Sequence, residues 1–561
     1  MRGDRLHAQL VQVARDLGGS EADVQLDRPR SPEHGDLTTN LALVLAGRAR
    51  QAPRALAERI VAGLDLAAAG VSTAEVAGPG FINFRLAGEV WHDRLLEILA
   101  SGRRYGRSDS GRGRRVQVEF VSANPTGPLH VAHGRGAALG DGIASLLEWT
   151  GWDVTREFYV NDAGVQIERL AGSLDARWRE LRGEAVEFPE DGYHGDYIRD
   201  LARDADEAAG ADLAAMDSAA RRRWFRDFAV DRLRREQDED LREFGVHFDV
   251  YFSETSLYEG GLVEDTLREL DERGFTYRSE DALWLRTTAF GDDKDRVLVK
   301  RDGTYTYLLP DIAYHRDKLR RGFERIIDVW GADHHGYAPR MRAALAALGH
   351  PDVLEVEIVQ MVRILRSGRE VRLSKRSGEF VTLRDLFRET GVDVARYFFL
   401  MRRGDAQMVF DLDLALDHSE KNPVYKVQYA HARMKSIFRK AGLTEAELPQ
   451  PGAAELARLV EPAERELIKQ LTRFPEIVER AAETRAPHMI CEYLEATAGM
   501  VNSWYHAGNP SRNPELAVLV PDEELRRARL ALAQAVATVL GNGLSILGLT
   551  APERMEREEV A

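Results

Sequence analysis

From Val116 onward short apolar runs alternate with helical stretches, and this pattern restricts the fold more than any other feature of the chain. "VQVEFVS" leads into a helix of small residues, "VTREFYVND" follows, and "RIIDVWGAD" and "LEVEIVQMV" come later. Strands that return after intervening helices predict a parallel α/β sheet, whose ligands collect at the carboxyl ends of the strands. Between Gln166 and about Val299 the sequence is charged and mostly helical, as in "RRRWFRDFAVDRLRREQDEDLREFG". That stretch, about 166–299, reads as a helical insertion between the two halves of the sheet, its charges forming a solvated face.

The flanks differ. Before residue 110, "EHGDLTTNLALVLAGRARQAPRALAERIVAGL" and "AEVAGPGFINFRL" combine helical patterns with a Gly-Pro-Gly turn and a short alternating strand, a small α+β domain. "SGRRYGRSDSGRGRR" reads as a surface linker. From about Lys421 the pattern is helical to the end, a bundle. A chain of 561 residues is too long for one core. The expected division is 1–110, 111–420 and 421–561.

Composition narrows the partners. A formal charge of −15 excludes a surface basic everywhere, so a polyanion would have to dock on local patches. No apolar run approaches the roughly 20 residues of a membrane-spanning helix. The amphipathic start, "MRGDRLHAQLVQVARDLGG", carries Asp4 and Asp16, unlike a transit peptide, and no signal-peptide core follows. A soluble, cytoplasmic protein with no membrane association is expected. A single cysteine, Cys491, excludes intramolecular disulfides and the usual cysteine zinc sites, and reads as a core residue.

In "LHVAHGRGAALGD" the histidines His130 and His133 fall where the strand gives way to the helix. Residues three apart share a face of the first turn, at an end that carries partial positive charge and free N–H groups, which suits an anion. Gly134, Gly136, Ala137 and Ala138 let the helix pack closely or let a flat ligand approach its backbone. Exposed histidines, a metal pair and satisfied core histidines fit the same spacing. A second segment, "SGREVRLSKRSGEFVTLRDL", is a glycine-bracketed basic loop with Lys375 between Ser374 and Arg376. Such a loop can close over phosphates or be an exposed hairpin turn.

HVAH and RLSKR together resemble the two signatures of class I aminoacyl-tRNA synthetases. "EFVSANPTGPLHVAHGRGAALGD", "FYVNDAGVQI", "YLLPDIAYHRDK", "VWGADHHGY", "NPVYKVQYAHARMKSIFRKA" and "LGLTAPERM" resemble the bacterial-type arginyl-tRNA synthetases over almost the whole chain. The resemblance implies a multidomain α/β protein: a Rossmann-like parallel-sheet catalytic domain, an α+β N-terminal domain that touches the tRNA elbow, and an all-α anticodon-binding bundle. It implies ligation of arginine to its cognate tRNA through an arginyl-adenylate, with activation requiring tRNA. ATP is a substrate, with Mg²⁺ bridging its phosphates and no structural zinc or other protein-held metal. A monomer is expected. The alternative is a noncatalytic tRNA-binding paralogue.

Roles follow from the same resemblance. His130, His133 and Lys375 stabilise charge on the transferring phosphate. ATP is held by His130, Ala132, His133, Gly134, Gly331, Asp333, Ser374, Lys375 and Arg376. Arginine presents a planar fork of five donors that stays charged, so its site requires carboxylates. Glu119 and Asn124 take its α-amino end, and Tyr307 and Asp311 take its side chain. Without the resemblance, Glu119 reads as an exposed strand residue and Asp311 as a helix N-cap after Pro310. Asn83 in "FINF" meets the tRNA elbow. Lys426, Arg433 and Lys440 recur every seven residues as a basic stripe, phosphate-binding or merely solvated, opposite an apolar face of Val427, Ala430, Met434 and Ile437. Two departures from the family pattern are Ala132, where glycine is usual, and Arg372-Leu373, where Lys-Met is common.

Overall fold

The Gly-Pro-Gly turn joins two strands of a small antiparallel sheet made of β1 (Leu37–Thr39), β2 (Val71–Ala77) and β3 (Phe81–Leu86) in the order β1-β3-β2. Gly80 sits at φ +147°, and a Cβ there would lie 2.9 Å from the main chain of Pro53, so the turn accepts only glycine. Along β3 the side chains alternate: Ile82 and Phe84 are fully buried with Leu10, Leu41, Leu45 and Leu56, while Asn83 and Arg85 face outward. The computed structural model describes residues 5–29, 31–371 and 382–555. The expected phosphate loop, with Arg372, Leu373, Ser374, Lys375 and Arg376, lies outside the described residues.

A five-stranded sheet follows, and every neighbouring pair in it is parallel. In chain order come β4 (Arg115–Glu119), β5 (Asp153–Val160) and β6 (Val250–Ser253). A separate antiparallel sheet, β7 (Thr276–Ser279), β8 (Ala282–Leu285) and β9 (Arg296–Val299), precedes β10 (Arg325–Gly331) and β11 (Leu354–Val359). The order β11-β10-β4-β5-β6 reverses direction at β4. This makes the carboxyl ends of β4 and β10 the switch point at which such sheets open a crevice. The expected helical insertion is only partly helical. It holds the helices Val165–Leu181, Asp196–Ala215 and Ser218–Glu243, but also edge strand β6 and the antiparallel sheet. Buried Phe225, Ala229, Leu233 and Leu241 form the inner stripe of the third helix together with Gln237 and Asp240, the latter paired with Arg384, and most of its other charges lie on the remaining face.

Beyond β11, β12 (Val362–Arg366), β13 (Arg369–Val371) and β14 (Met408–Asp411) form a sheet in the order β13-β12-β14. The elements described in the rest of the chain are helices, with long ones at Pro423–Lys440, His488–Ala507 and Glu523–Ile546. The chain packs as two compact units: Met1–Tyr105, Met434–Arg473 and Gly499–Val539 in one, and Gly106–Arg433, Phe474–Ala498 and Leu540–Ala561 in the other. The first dividing point is Tyr105/Gly106; of the later ones, Arg433/Met434, Ala498/Gly499 and Val539/Leu540 fall inside the three long helices, and Arg473/Phe474 falls between two shorter ones. Turn signals in a sequence mark loops, and a division within a continuous helix carries none.

Candidate active site

Four strands of this sheet deliver an acidic group at or just beyond the carboxyl end: β4 ends on Glu119, β5 is followed by Asp162, β6 by Glu254, and β10, which ends on Gly331, by Asp333. The turn after β4 is strained: Val121 and Ser122 adopt φ of 69° and 40°, and a β-branched residue is rare there. The distortion aims the Ser122 hydroxyl at Glu119 Oε1 (2.9 Å) while that hydroxyl accepts from the Tyr159 amide (3.1 Å). Glu119 is therefore not an exposed strand residue. Its side chain is 10% exposed, and the buried Lys318 ammonium donates to its Oε2 at 2.6 Å. Asn124, further along the turn, donates to Gln166 Oε1 at 2.8 Å.

His130 is the N-cap of the helix Val131–Trp149, and His133 is its third residue. Their rings stack with centroids 3.7 Å apart, and the His130 amide donates to His133 Nδ1. Both rings thus sit at the positive end of the helix. Ala132 is exposed in the same turn. Gly134 is buried, and a Cβ on it would meet Leu383 Cδ1 at 2.5 Å, so this glycine serves close packing.

Asp311 lies inside the helix Leu308–Arg320, one turn past its N-cap, Tyr307, so the N-cap reading of Asp311 is corrected. Its Oδ2 accepts from the Tyr337 hydroxyl. Burial pushes the Asp311 carboxyl up to about 6, with Tyr337 pulling the other way. Glu254 is pushed to about 7 by burial and by the charges of Asp311 and Asp162, with hydrogen bonds from Tyr159 and Tyr258 opposing. Two clustered carboxyls displaced upward form a site short of a cation. Tyr307 is 87% exposed. Asp333 is 81% exposed beside His334, and Gly331 lies so close that a Cβ would be 2.6 Å from Asp333 Oδ1.

Sequence reasoning missed Glu254, Tyr337, His315, Lys318 and Asp328. A signal for two of them was present. His315 and Lys318 follow Asp311 at intervals of four and seven, hence on one helix face. A cleft of about 860 Å³ opens at the ends of β5 and β6, lined by Asp162, Gly164, Arg234, Tyr251 and Thr255 among others. Neither histidine, Glu119 nor Asp311 lines it. Among the described residues no group of three or more His, Cys, Asp or Glu side chains is placed to hold a metal ion.

Comparison with known proteins decides the family. Residues 94–398 match the class I tRNA synthetase (R) catalytic domain, residues 4–86 the arginyl-tRNA synthetase N-terminal domain, and residues 427–555 the DALR anticodon binding domain. The arginine–tRNA ligase of Geobacillus kaustophilus is 48% identical over 98% of this chain and 99% of its own length. The chain belongs to the arginyl-tRNA synthetases. Another relative, the arginine–tRNA ligase of Geobacillus thermodenitrificans, is 50% identical over 95% of this chain and 94% of its own. The solved Thermus thermophilus arginyl-tRNA synthetase superposes with a TM-score of 0.75 at 25% identity, covering 99% of this chain and 100% of that one. Membership in this family accounts for the Rossmann-like sheet and for the helical C-terminal region. No helix among the described residues is long and apolar enough to cross a membrane.

The stripe on the helix Pro423–Lys440 divides. Its apolar face is as expected, with Val427, Ala430 and Met434 fully buried. Lys440 is exposed and Lys426 half-buried. Arg433 is not on a solvated face: its side chain is 6% exposed, pairs with Glu420 at 3.4 Å and stacks over Tyr429 at 4.3 Å. A seven-residue spacing turns by only about 20° per step, so the three lie nearly in line, and it is the local packing on Glu420 and Tyr429 that buries Arg433 while Lys440 stays exposed.

Proposed function

We propose that this chain activates arginine with ATP and transfers the arginyl group to the terminal ribose of its cognate tRNA. The observation that carries this is the convergence of Glu119, Asp311 and Glu254 near the strand ends of the sheet whose central helix opens on His130 and His133. The carboxylate of arginine attacks the α-phosphorus of ATP, and pyrophosphate leaves with the electron pair of the broken P–O bond. No enzyme nucleophile is needed. Rate comes from positioning and from stabilising charge on the phosphate. His130 and His133, at the positive helix end, face that charge, and Lys375 with its neighbours Ser374 and Arg376 supplies further positive charge and hydrogen bonds to the phosphates. Ala132, Gly331 and Asp333 border the nucleoside. Mg²⁺ would enter with ATP as part of the substrate and would offset charge on its phosphates, as suits an ion that keeps much of its water.

Glu119 and Asn124 receive the α-amino end, and Asp311 and Tyr307 receive the guanidinium, with Glu254 supplying a further carboxylate. Segments 1–110, 111–420 and 421–561 divide the work among tRNA elbow, chemistry and anticodon, with the outward Asn83 on the elbow face. The protein acts as a monomer in the cytoplasm, whose reducing conditions suit its one unbridged thiol, Cys491. A noncatalytic tRNA-binding role has no support. The test is arginine-dependent exchange of pyrophosphate into ATP, with and without cognate tRNA. Exchange is expected with arginine and tRNA together and only weakly without tRNA. Robust exchange with another amino acid would sink the assignment.

A further inference from the structure

Three carboxylates stand in a row across the middle of the parallel sheet. Asp328 on β10 is in register with Glu119 on β4, which is in register with Glu157 on β5. Their side chains are 0%, 10% and 0% exposed. Like charges side by side in a sheet are destabilising, and buried ones more so. The helix Leu308–Arg320 and the residue after it supply the compensation. Lys318 donates to Glu119 Oε2 at 2.6 Å and to Asp328 Oδ1 at 2.9 Å. Arg321 pairs with Glu157 at 2.5 Å, and Tyr314 donates to the same carboxylate at 2.7 Å. His315 completes the connection: its Nε2 lies 2.7 Å from Asp328 Oδ2, and its Nδ1 lies 2.7 Å from the main-chain oxygen of Asp311.

One continuous chain of polar contacts therefore runs from Glu119 through Lys318, Asp328 and His315 to the backbone of Asp311. We propose that Lys318, backed by Asp328 and His315, is a positioning residue for arginine. It fixes the Glu119 carboxylate and ties it to Asp311, so that the chain sets the distance between the α-ammonium and guanidinium sites. This rests on the reading that Glu119 and Asp311 bind the two ends of arginine. A side chain one methylene longer is rejected because neither end of the pocket can give. The Lys318 ammonium is held in its charged form despite burial, by Asp328, Glu119 and Glu157.

The test is a double-mutant cycle on the full chain, read by arginine and ATP dependence of pyrophosphate exchange with tRNA present. Lys318→Met is expected to raise KM for arginine about ten-fold or more while KM for ATP stays within about two-fold, the split expected when only arginine binding is touched. In the Glu119→Gln background the same substitution is expected to add less than about two-fold, because Lys318 acts through Glu119. Multiplying effects would overturn the positioning role alone. An arginine KM unchanged by Glu119→Gln would overturn the underlying assignment of Glu119. Should Lys318→Met fail to fold, Asp328→Asn decides, since it keeps the size of the side chain but removes the charge that holds Lys318 and His315 in place. That variant is expected to lower the preference for arginine over homoarginine at least about five-fold, with ATP dependence unaltered. An unchanged preference would overturn the fixed-distance role.

Discussion

Asp311 concentrates the chemistry of the proposed arginine pocket, because it carries a carboxylate made costly by burial and held at its Oδ2 by the Tyr337 hydroxyl. Removing its charge leaves a bound guanidinium unpaired, which for a buried charge pair costs about 2–5 kcal/mol. Asp311→Asn is therefore expected to raise KM for arginine by about thirty-fold or more and to leave KM for ATP nearly unchanged. Steady-state exchange kinetics check this, and equal loss of both would point to a folding defect. A second prediction concerns pH. Asp311 and Glu254 titrate near 6 and 7 in the empty fold, above their ordinary values of 3.8 and 4.5. Groups raised in this way contribute stability that is present below the ordinary values and is lost as pH rises through 6–7. Bound arginine cancels that loss by pairing with the ionised carboxyls. The rise in Tm caused by saturating arginine is expected to be larger at pH 8 than at pH 5.5, measured by thermal denaturation. A pH-independent rise would show that neither carboxyl meets the guanidinium.

At the scale of the element, the helix Val131–Trp149 works because its small residues bring it against the sheet. A Cβ on Gly140 would lie 2.1 Å from Phe120 Cγ and 2.5 Å from Phe120 Cβ. Gly140→Ala would ordinarily strengthen a helix by about 1 kcal/mol. Overpacking against Phe120, typically costing about 1–3 kcal/mol, is expected to outweigh that gain. Urea denaturation is expected to show a net loss of stability, and a stabilised variant would contradict the packing described. Because Phe120 adjoins Glu119, the same variant is expected to disturb the strand end that carries the proposed arginine site. "GRGAALGD" announced small residues but not their use: packing and ligand approach ask for the same side chains, and only the position of Phe120 and Leu383 separates them.

For the whole molecule, the tRNA must be gripped by a chain whose net charge is −15. Local cations have to do this, and the helix Pro423–Lys440 offers Lys426 and Lys440 but not the packed Arg433. Each phosphate contact removed lowers the salt slope of binding by about one. Lys426→Ala with Lys440→Ala is expected to reduce the slope by up to about two. Arg433→Ala is expected to lower Tm and leave the slope alone. Filter binding across a salt series separates the two, and a slope unmoved by the lysine changes would return them to solvated surface.

What was readable in advance follows how far apart in the chain the interacting groups lie. Alternating apolar runs such as "VQVEFVS" and "RIIDVWGAD" record the burial of each strand, and the spacing of Val427, Ala430 and Met434 records that of a helix, so strands, helices and their parallel arrangement were legible. The family motifs likewise pointed to His130, His133, Glu119 and Asp311. Tertiary structure alone decided that Asp328, Glu119 and Glu157, from strands far apart in the chain, stand side by side. It also decided that a lysine, usually the most solvated of residues, is buried between two of them. Periodicity reports how one segment meets its surroundings. It carries no record of which distant segment lies beside it, and the charges of this site take their meaning from that lateral neighbour.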